Sequence, residues 1–282
     1  MTHTFYSIRT GINKNLKGLS LDDLKTTFTR LYSNLRAEGY FEENFGGFCV
    51  DDGNVPGKIA DIELEISLKL RKNGLWPIEK KMNKYSEDDV LDMIEFLYLY
   101  VSKPIEGHYH SYGDCGMHWE TFNKVEGQEI YREKVNELLS AYQSPFELSV
   151  KGEILQKPEK GLEKIFEADI PSSDTNITSR IDAAVLKFRR HGATRDDRRH
   201  AVRDLADILE YLRPKVKDLL TSQDEKDLFN IANNFGIRHH NDKQKTDYDA
   251  DLWLSWMFYF YLSTIHVLTR KINKENSTTQ QV

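Results

Sequence analysis

Four adjacent residues near the C-terminus have side chains suited to chemistry on a phosphodiester. They are Arg238, His239, His240 and Asn241, in the stretch NNFGIRHHNDKQK. Cleavage of RNA without a metal ion needs a base for the ribose hydroxyl, an acid for the leaving oxygen and positive charge beside the phosphorane. Histidine transfers protons near neutral pH, and arginine binds phosphate through two parallel hydrogen bonds. The cluster therefore predicts RNA cleavage. The alternative is a set of loop residues that cap a helix or bind a carboxylate.

A second cluster has the side chains of a zinc site. The stretch HYHSYGDCGMHWE places His108, His110, Cys115 and His118 within eleven positions, and imidazole and thiolate both suit zinc. The spacing matches no strong zinc signature, and the three nearby glycines, Gly107, Gly113 and Gly116, are equally typical of a tight loop. The sequence therefore favours a protein without a cofactor and leaves zinc as the alternative. The only other cysteine, Cys49, lies far away in the sequence, which is no disulfide framework and indicates a reducing compartment.

Predicted helices position the first cluster. Capping residues and apolar stripes at helical spacing indicate four helices in the C-terminal half, beginning at or near Asp174, Thr194, Ser222 and Asp249, with the last ending near Ile272. Short connections between amphipathic helices predict an antiparallel bundle. The Arg-His-His-Asn cluster precedes the fourth helix, and a helix N-terminus favours phosphate through its free N–H groups and its dipole.

With this helix pattern and this cluster, the last hundred or so residues resemble the HEPN domains at the C-terminus of abortive-infection proteins. The resemblance rests on the four-helix pattern, on RRHAVRDLADILEYLRPKVKDLL as the second helix and on Arg238 just before the last helix. The preceding YREKVNELLSAYQSPFELSVKGEI is similar to the helix and hairpin found ahead of such domains. The resemblance implies a metal-independent endoribonuclease of a bacterial anti-phage (abortive infection) or toxin-like system. It also implies RNA as the substrate, a homodimer through the third and fourth helices, and a phage-derived trigger or partner protein.

The motif departs from the family pattern at one point. Family members carry an arginine, a polar residue and then a histidine that four to six residues separate from the arginine, but Lys243, Gln244 and Lys245 stand at those positions. Either His239 or His240 takes over the proton transfer, or the activity is altered or lost. The alternative function is a catalytically degenerate HEPN-like scaffold that binds a nucleotide or a protein. Reserve candidates for substrate binding are Arg195, His200 and Lys243; RDDRRH has the family spacing but lies at the start of the second helix.

Composition limits the classes of function. The 282 residues carry a net charge of −6, so no global basic field attracts nucleic acid and any RNA contact would come from a local patch. The chain has no glycine-rich phosphate loop and no nucleophile elbow, which argues against nucleotide hydrolases and serine hydrolases. The apolar run of residues 253–268 is shorter than the ~20 residues that a bilayer core requires, so a buried helix is expected. The N-terminus lacks an apolar signal core, and a cytoplasmic protein without membrane contact is expected.

The predicted fold is mainly α in four parts. Residues 1–145 form a helical N-terminal region that senses, binds or regulates, and residues 146–173 form a short β-hairpin and linker. Residues 174–273 form the HEPN-like four-helix bundle, and residues 274–282 form a disordered tail. In the first region, Ser20 and Ser86 are helix caps. Residues 59–77 fit both a helix and a strand, and helix is favoured.

Overall fold

The computed structural model describes residues 5–12, 18–158, 161–162, 164–168, 170–172, 174–216, 223, 226 and 249–279. The protein is mainly helical with short two-stranded antiparallel sheets, which confirms the mainly α prediction. The chain divides into two compact units, Met1–Leu155 and Gln156–Val282. The elements in chain order are α1 (Tyr6–Arg9), α2 (Leu21–Ala37), α3 (Glu42–Phe45), β1 (Gly47–Cys49), β2 (Gly53–Val55), α4 (Ile62–Leu70), α5 (Ile78–Lys81), α6 (Glu87–Tyr100), β3 (Lys103–His110), β4 (Gly116–Asn123), α7 (Lys124–Ala141), β5 (Phe146–Leu148), β6 (Ile154–Gln156), α8 (Lys164–Glu167), α9 (Thr175–Arg189), α10 (Arg195–Val216) and α11 (Ala250–Thr279).

Capping side chains start the main helices of the first unit. The Ser20 hydroxyl accepts from the backbone N–H of Asp23, whose carboxylate accepts in return from the backbone N–H of Ser20. Ser86 and Asp89 form the same reciprocal pair at the start of α6. Each pair satisfies N–H groups that the first helical turn leaves unbonded. Both predicted caps are confirmed, as is the helical interpretation of the segment that contains α4.

One apolar core holds α2, α6 and α7 together. Phe28 of α2, Met93 and Leu97 of α6 and Tyr131 of α7 are fully buried in it. The Tyr131 hydroxyl is not left unbonded, because it donates to the backbone oxygen of Ile94 at 3.1 Å. None of the residues of β3 or β4 belongs to this core, so the hairpin that they form needs another source of stability.

The hairpin of β3 and β4 has half-buried and exposed residues only. Its two strands have eight residues each and pair from Lys103–Asn123 to His110–Gly116, yet none of these residues is buried. No strand is predicted here from the sequence, because the alternation in KPIEGHYH and GMHWETFN is weak: Gly107 and Thr121 stand where a half-buried strand would carry apolar residues. The hairpin is a finding of the structure alone.

A predicted hairpin follows α7. Strands β5 and β6 pair as expected, and Phe146, Leu148, Ile154 and Leu155 are all buried. Asn136 of α7 fixes β5 through its side-chain amide, which accepts from the backbone N–H of Leu148 at 2.6 Å and donates to its carbonyl at 3.0 Å. The prediction of a hairpin in this segment is confirmed.

In the second unit α9, α10 and α11 pack around a separate core. Its buried side chains include Ile181, Phe188, Leu205, Leu209 and Phe258. The helix predicted to begin at Ser222 lies largely outside the described residues, so three of the four predicted helices are described. Among the described residues, no helix combines the length and the hydropathy needed to cross a membrane.

The last helix is longer than predicted. It continues past Ile272 to Thr279, and the disorder expected for the tail of residues 274–282 stays a prediction. Residues 273–279 contain neither proline nor glycine, so no residue in this segment breaks the helical backbone.

Candidate metal centre

The candidate metal centre lies at the turn end of the β3–β4 hairpin. His110 is the last residue of β3, and His118 is the third residue of β4. Between the strands Gly113, Asp114 and Gly116 all adopt positive φ angles of 59°, 56° and 93°, which glycine tolerates best. This tight reversal of the chain places Cys115 beside the two histidines.

Strand register puts the histidines on one face. His118 lies opposite His108, and His110 lies opposite Gly116. Since residues two apart on a strand point to the same side, His108, His110 and His118 share that side. The ring centroids of His110 and His118 are 5.4 Å apart.

Cys49 completes the set from a different part of the chain. It ends β1, the first strand of the short hairpin with β2, and it is buried. The potential ligand atoms of Cys49, His110, Cys115 and His118 all lie within 4.8 Å of one another. The Cys49 Sγ is 3.7 Å from His110 Nδ1, and the Cys115 Sγ is 3.2 Å from His118 Nε2.

These separations fit a tetrahedral zinc ion. Zinc–sulfur bonds of about 2.3 Å and zinc–nitrogen bonds of about 2.05 Å place sulfur and nitrogen ligands about 3.6 Å apart at the tetrahedral angle. The two measured sulfur–nitrogen distances, 3.7 Å and 3.2 Å, lie on either side of that value. Two thiolates with two imidazoles form a donor set typical of structural zinc sites.

Two further contacts orient these ligands. The second ring nitrogen of His110, Nε2, lies 3.3 Å from the Asp51 carboxylate. A carboxylate in this position holds the proton on Nε2 and leaves Nδ1 free to bind a metal. The backbone N–H of Val50 donates to the Cys115 Sγ at 3.4 Å, and such a bond favours the negatively charged sulfur that a metal requires. Both contacts come from the turn after Cys49.

The structure brings together three of the four residues in the predicted zinc cluster and separates the fourth. His108 Nδ1 lies 2.7 Å from the Glu120 carboxylate, and its ring stacks on His118 with centroids 5.3 Å apart. It lies outside the quartet of potential ligands, Cys49, His110, Cys115 and His118. Cys49 was missed because 61 positions separate it from His110, and no local motif joins them. The available signal was that both cysteines of the chain stand in short glycine-containing turns, FGGFCVDDG and YGDCGMH.

The residues predicted for RNA cleavage lie in a part of the chain that the structure does not describe. Arg238, His239, His240, Asn241 and Lys243 lie outside the described residues. The two remaining reserve candidates are on α10. There the Arg195 guanidinium pairs with the Asp251 carboxylate at 3.2 Å, and His200 is exposed. Arg195 is thus engaged by a residue of α11, and the two reserve residues form no cluster with other described catalytic side chains.

Comparison of the chain with family models, with curated proteins and with solved structures gives no match. The geometry of the quartet therefore provides the functional evidence.

Proposed function

We propose that the first unit binds one zinc ion through Cys49, His110, Cys115 and His118, and that the ion is structural. The observation that carries this proposal is the convergence of four suitable ligand atoms from β1, β3, β4 and the turn between the last two. Four protein ligands fill a tetrahedral zinc ion, whereas catalytic zinc keeps one position open for water or substrate. The ion therefore stabilises structure in this unit.

The role of the ion follows from what the hairpins lack. An isolated two-stranded hairpin is marginally stable in water, and β3 and β4 contribute no buried residue. Zinc would join the end of this hairpin to β1, two segments that are distant in sequence. Because the unfolded chain holds no preformed site, the free energy of zinc binding contributes directly to folding.

A disulfide between Cys49 and Cys115 is the competing explanation for the two sulfur atoms. Both cysteines are free in the structure. A disulfide would not require His110 and His118 to point their ring nitrogens at the sulfurs, nor Asp51 to hold the far nitrogen of His110. The histidines favour zinc.

Metal analysis of the purified full chain tests this proposal. We expect one zinc per chain by mass spectrometry, and Co²⁺ in its place should give the visible absorption of a tetrahedral thiolate complex. Cys49→Ser and His118→Asn should abolish stoichiometric metal, and His108→Asn, which changes a neighbouring histidine outside the quartet, should retain it. A metal-free wild type with a Cys49–Cys115 disulfide, or loss of zinc in His108→Asn alone, would contradict the assignment.

For the second unit we propose endoribonuclease activity of the HEPN type. Its support is the sequence resemblance together with the packing of α9, α10 and α11 around one core, an arrangement compatible with the expected bundle. Arg238 would stabilise charge on the phosphate, His239 or His240 would transfer the proton, and Asn241 would orient a histidine or the substrate. The degenerate scaffold is the alternative.

Cleavage of total RNA by wild type, Arg238→Ala and His240→Ala tests the nuclease proposal. Cells that express each variant should also be scored for growth, with a phage trigger supplied. We expect wild-type cleavage that persists after a short EDTA treatment and is lost in Arg238→Ala. The nuclease proposal fails if wild type neither cuts RNA nor slows growth, and the scaffold then remains.

A further inference from the structure

A cavity of about 660 Å³ opens beside the candidate zinc ligands. Its size falls within the ~300–1,000 Å³ that is usual for ligand pockets. Phe48 of β1, Met117 and Trp119 of β4 and Glu42 of α3 line it together with three residues of the zinc quartet. Phe48 is 66% exposed, so an apolar side chain lies open on one wall. The cavity rests on the proposed zinc site, because that ion would hold β1 to the β3–β4 hairpin.

The charge of the cavity is strongly negative. Lys58 is the one lysine or arginine among the lining residues, and its ammonium is already paired with the Glu43 carboxylate at 2.6 Å. This excess of carboxylates is complementary to a cationic partner and would repel nucleic acid. The lining carboxylates are those of Glu42, Glu43, Asp51, Asp52 and Glu120.

Glu42 is the carboxylate best placed to receive a cation. It is half-buried, and among the described residues no lysine or arginine pairs with it. Burial raises the pKa of Glu42, and the backbone N–H of Trp119 that donates to it opposes this rise. A buried carboxylate without a cation costs stability when it is ionised, and a positive charge from outside would remove that cost.

Trp119 also lines the cavity, where its backbone N–H donates to this carboxylate while its indole ring packs against Gly39. Its indole ring lies so close to Gly39 that a Cβ there would be 2.4 Å from two ring atoms. Gly39 also has a φ of 89°, so both its backbone conformation and its contact with the ring require glycine. The packed ring fixes the Trp119 backbone, and a carboxylate held by that backbone N–H at the wall of a cavity is a favourable partner for a lysine or arginine side chain.

We infer that this cavity is a docking site for a positively charged polypeptide segment, with a lysine or arginine side chain bound at Glu42. A polypeptide fits better than a free amine because the cavity is larger than one cationic side chain. Its apolar wall also includes Val55 and Met117, which are 39% and 37% exposed. These side chains would cover the apolar parts of neighbouring residues in the partner.

Fluorescence anisotropy with the zinc-loaded full chain tests this inference. The probe is a short fluorescein-labelled peptide that alternates glycine with lysine and arginine. Its control has acetyl-lysine and citrulline at those positions, which keep the shape and remove the charge. The matched pair of variants is Glu42→Gln and Glu133→Gln. Each removes one negative charge from the chain, but Glu133 is exposed on α7 and does not line the cavity.

We expect the charged peptide to bind and the neutral peptide not to bind. Glu42→Gln should weaken binding about tenfold or more, as expected for the loss of a hydrogen bond to a charged group. Glu133→Gln should bind like wild type. Because burial raises the pKa of Glu42, glutamine at that position should leave the melting temperature unchanged or higher, so weaker binding would not reflect unfolding.

Four outcomes would overturn the inference: equal binding of the two peptides, equal affinity of the two variants, no binding at about 1 mM peptide, or equally tight binding of spermidine. Zinc content is measured in every sample. A zinc-loaded protein that does not bind the peptide contradicts the docking proposal and leaves the zinc proposal intact. A zinc-free wild type that binds through Glu42 contradicts the zinc proposal alone.

Discussion

Two hairpins of the first unit are stabilised by different means. The β5–β6 hairpin has three residues in each strand, and four of these six are buried. The β3–β4 hairpin has eight residues in each strand and buries none. The short hairpin is held by apolar contact with the core, whereas our account gives the long one a zinc ion at its end. The contrast shows that strand length alone does not stabilise a hairpin.

The largest expected effect is loss of the metal. Cys49→Ser should remove zinc and with it a binding free energy that reaches about 10 kcal/mol in small zinc domains. Hydrogen exchange should show amides of residues 103–123 losing protection, while amides of residues 146–156 keep theirs. Equal loss in both hairpins would mean that the ion supports the whole unit, and the contrast between the hairpins would fail.

The reciprocal change removes apolar contact from the short hairpin. Leu148→Ala deletes a buried side chain and should lower the free energy of unfolding by about 2–5 kcal/mol. Chemical denaturation of the zinc-loaded protein measures this loss. Zinc affinity, measured by competition with a chelator, should stay within twofold of wild type, and a larger change would show that the two hairpins are coupled.

A smaller effect is expected from the carboxylate behind His110. Asp51→Asn keeps the size of the side chain but weakens its hold on the His110 Nε2 proton, so zinc affinity should fall about 10–100-fold. Asp52→Asn is the matched control, because Asp52 is adjacent and exposed but makes no contact with a quartet residue in the described structure. Equal zinc affinities in the two variants would show that Asp51 does not orient His110 for zinc binding.

The smallest expected effect concerns α6, whose stability does not involve the metal. Burial alone would raise the pKa of Asp89, but hydrogen bonds from Lys72 and Ser86 outweigh it and hold that pKa below its usual range. A depressed carboxylate pKa stabilises the fold above the unfolded value, about 3.9, and this contribution is lost as the pH falls through the folded pKa. Asp89→Asn should therefore cost about 1 kcal/mol at pH 7.

The pH series needs a reference that shares the loss of zinc in acid. Wild type and Asp89→Asn both release the metal as the ligands protonate, so this effect cancels in the difference between their unfolding free energies. That difference should shrink as the pH falls below the unfolded pKa of about 3.9 and through the lower folded pKa of Asp89. A difference that is independent of pH would mean that the Asp89 charge does not stabilise α6.

How far the sequence predicts this fold depends on whether the signal is local. The caps at Ser20 and Ser86 are short-range patterns, and both are confirmed by hydrogen bonds within four residues. The β5–β6 hairpin was predictable because the apolar residues of its first strand alternate and a Lys-Gly turn follows. The β3–β4 hairpin was not, because neither of its faces is buried and no continuous apolar face marks its strands.

The candidate site divides in the same way. His110, Cys115 and His118 are close in sequence and were recognised as possible ligands together. Cys49 joins them only through the pairing and packing of strands, which no local pattern encodes. His108 has a ligand side chain at the right face of β3, but Glu120 engages it, and the sequence spacing does not reveal that contact.

X-ray absorption at the zinc edge of the purified full chain is the most direct test of the metal centre. The account predicts one zinc with two sulfur ligands at about 2.3 Å and two nitrogen ligands at about 2.0–2.1 Å. It also predicts that Cys115→Ser reduces the sulfur contribution or abolishes binding. Zinc bound without sulfur, or a wild type whose two cysteines are joined in a disulfide, would contradict it.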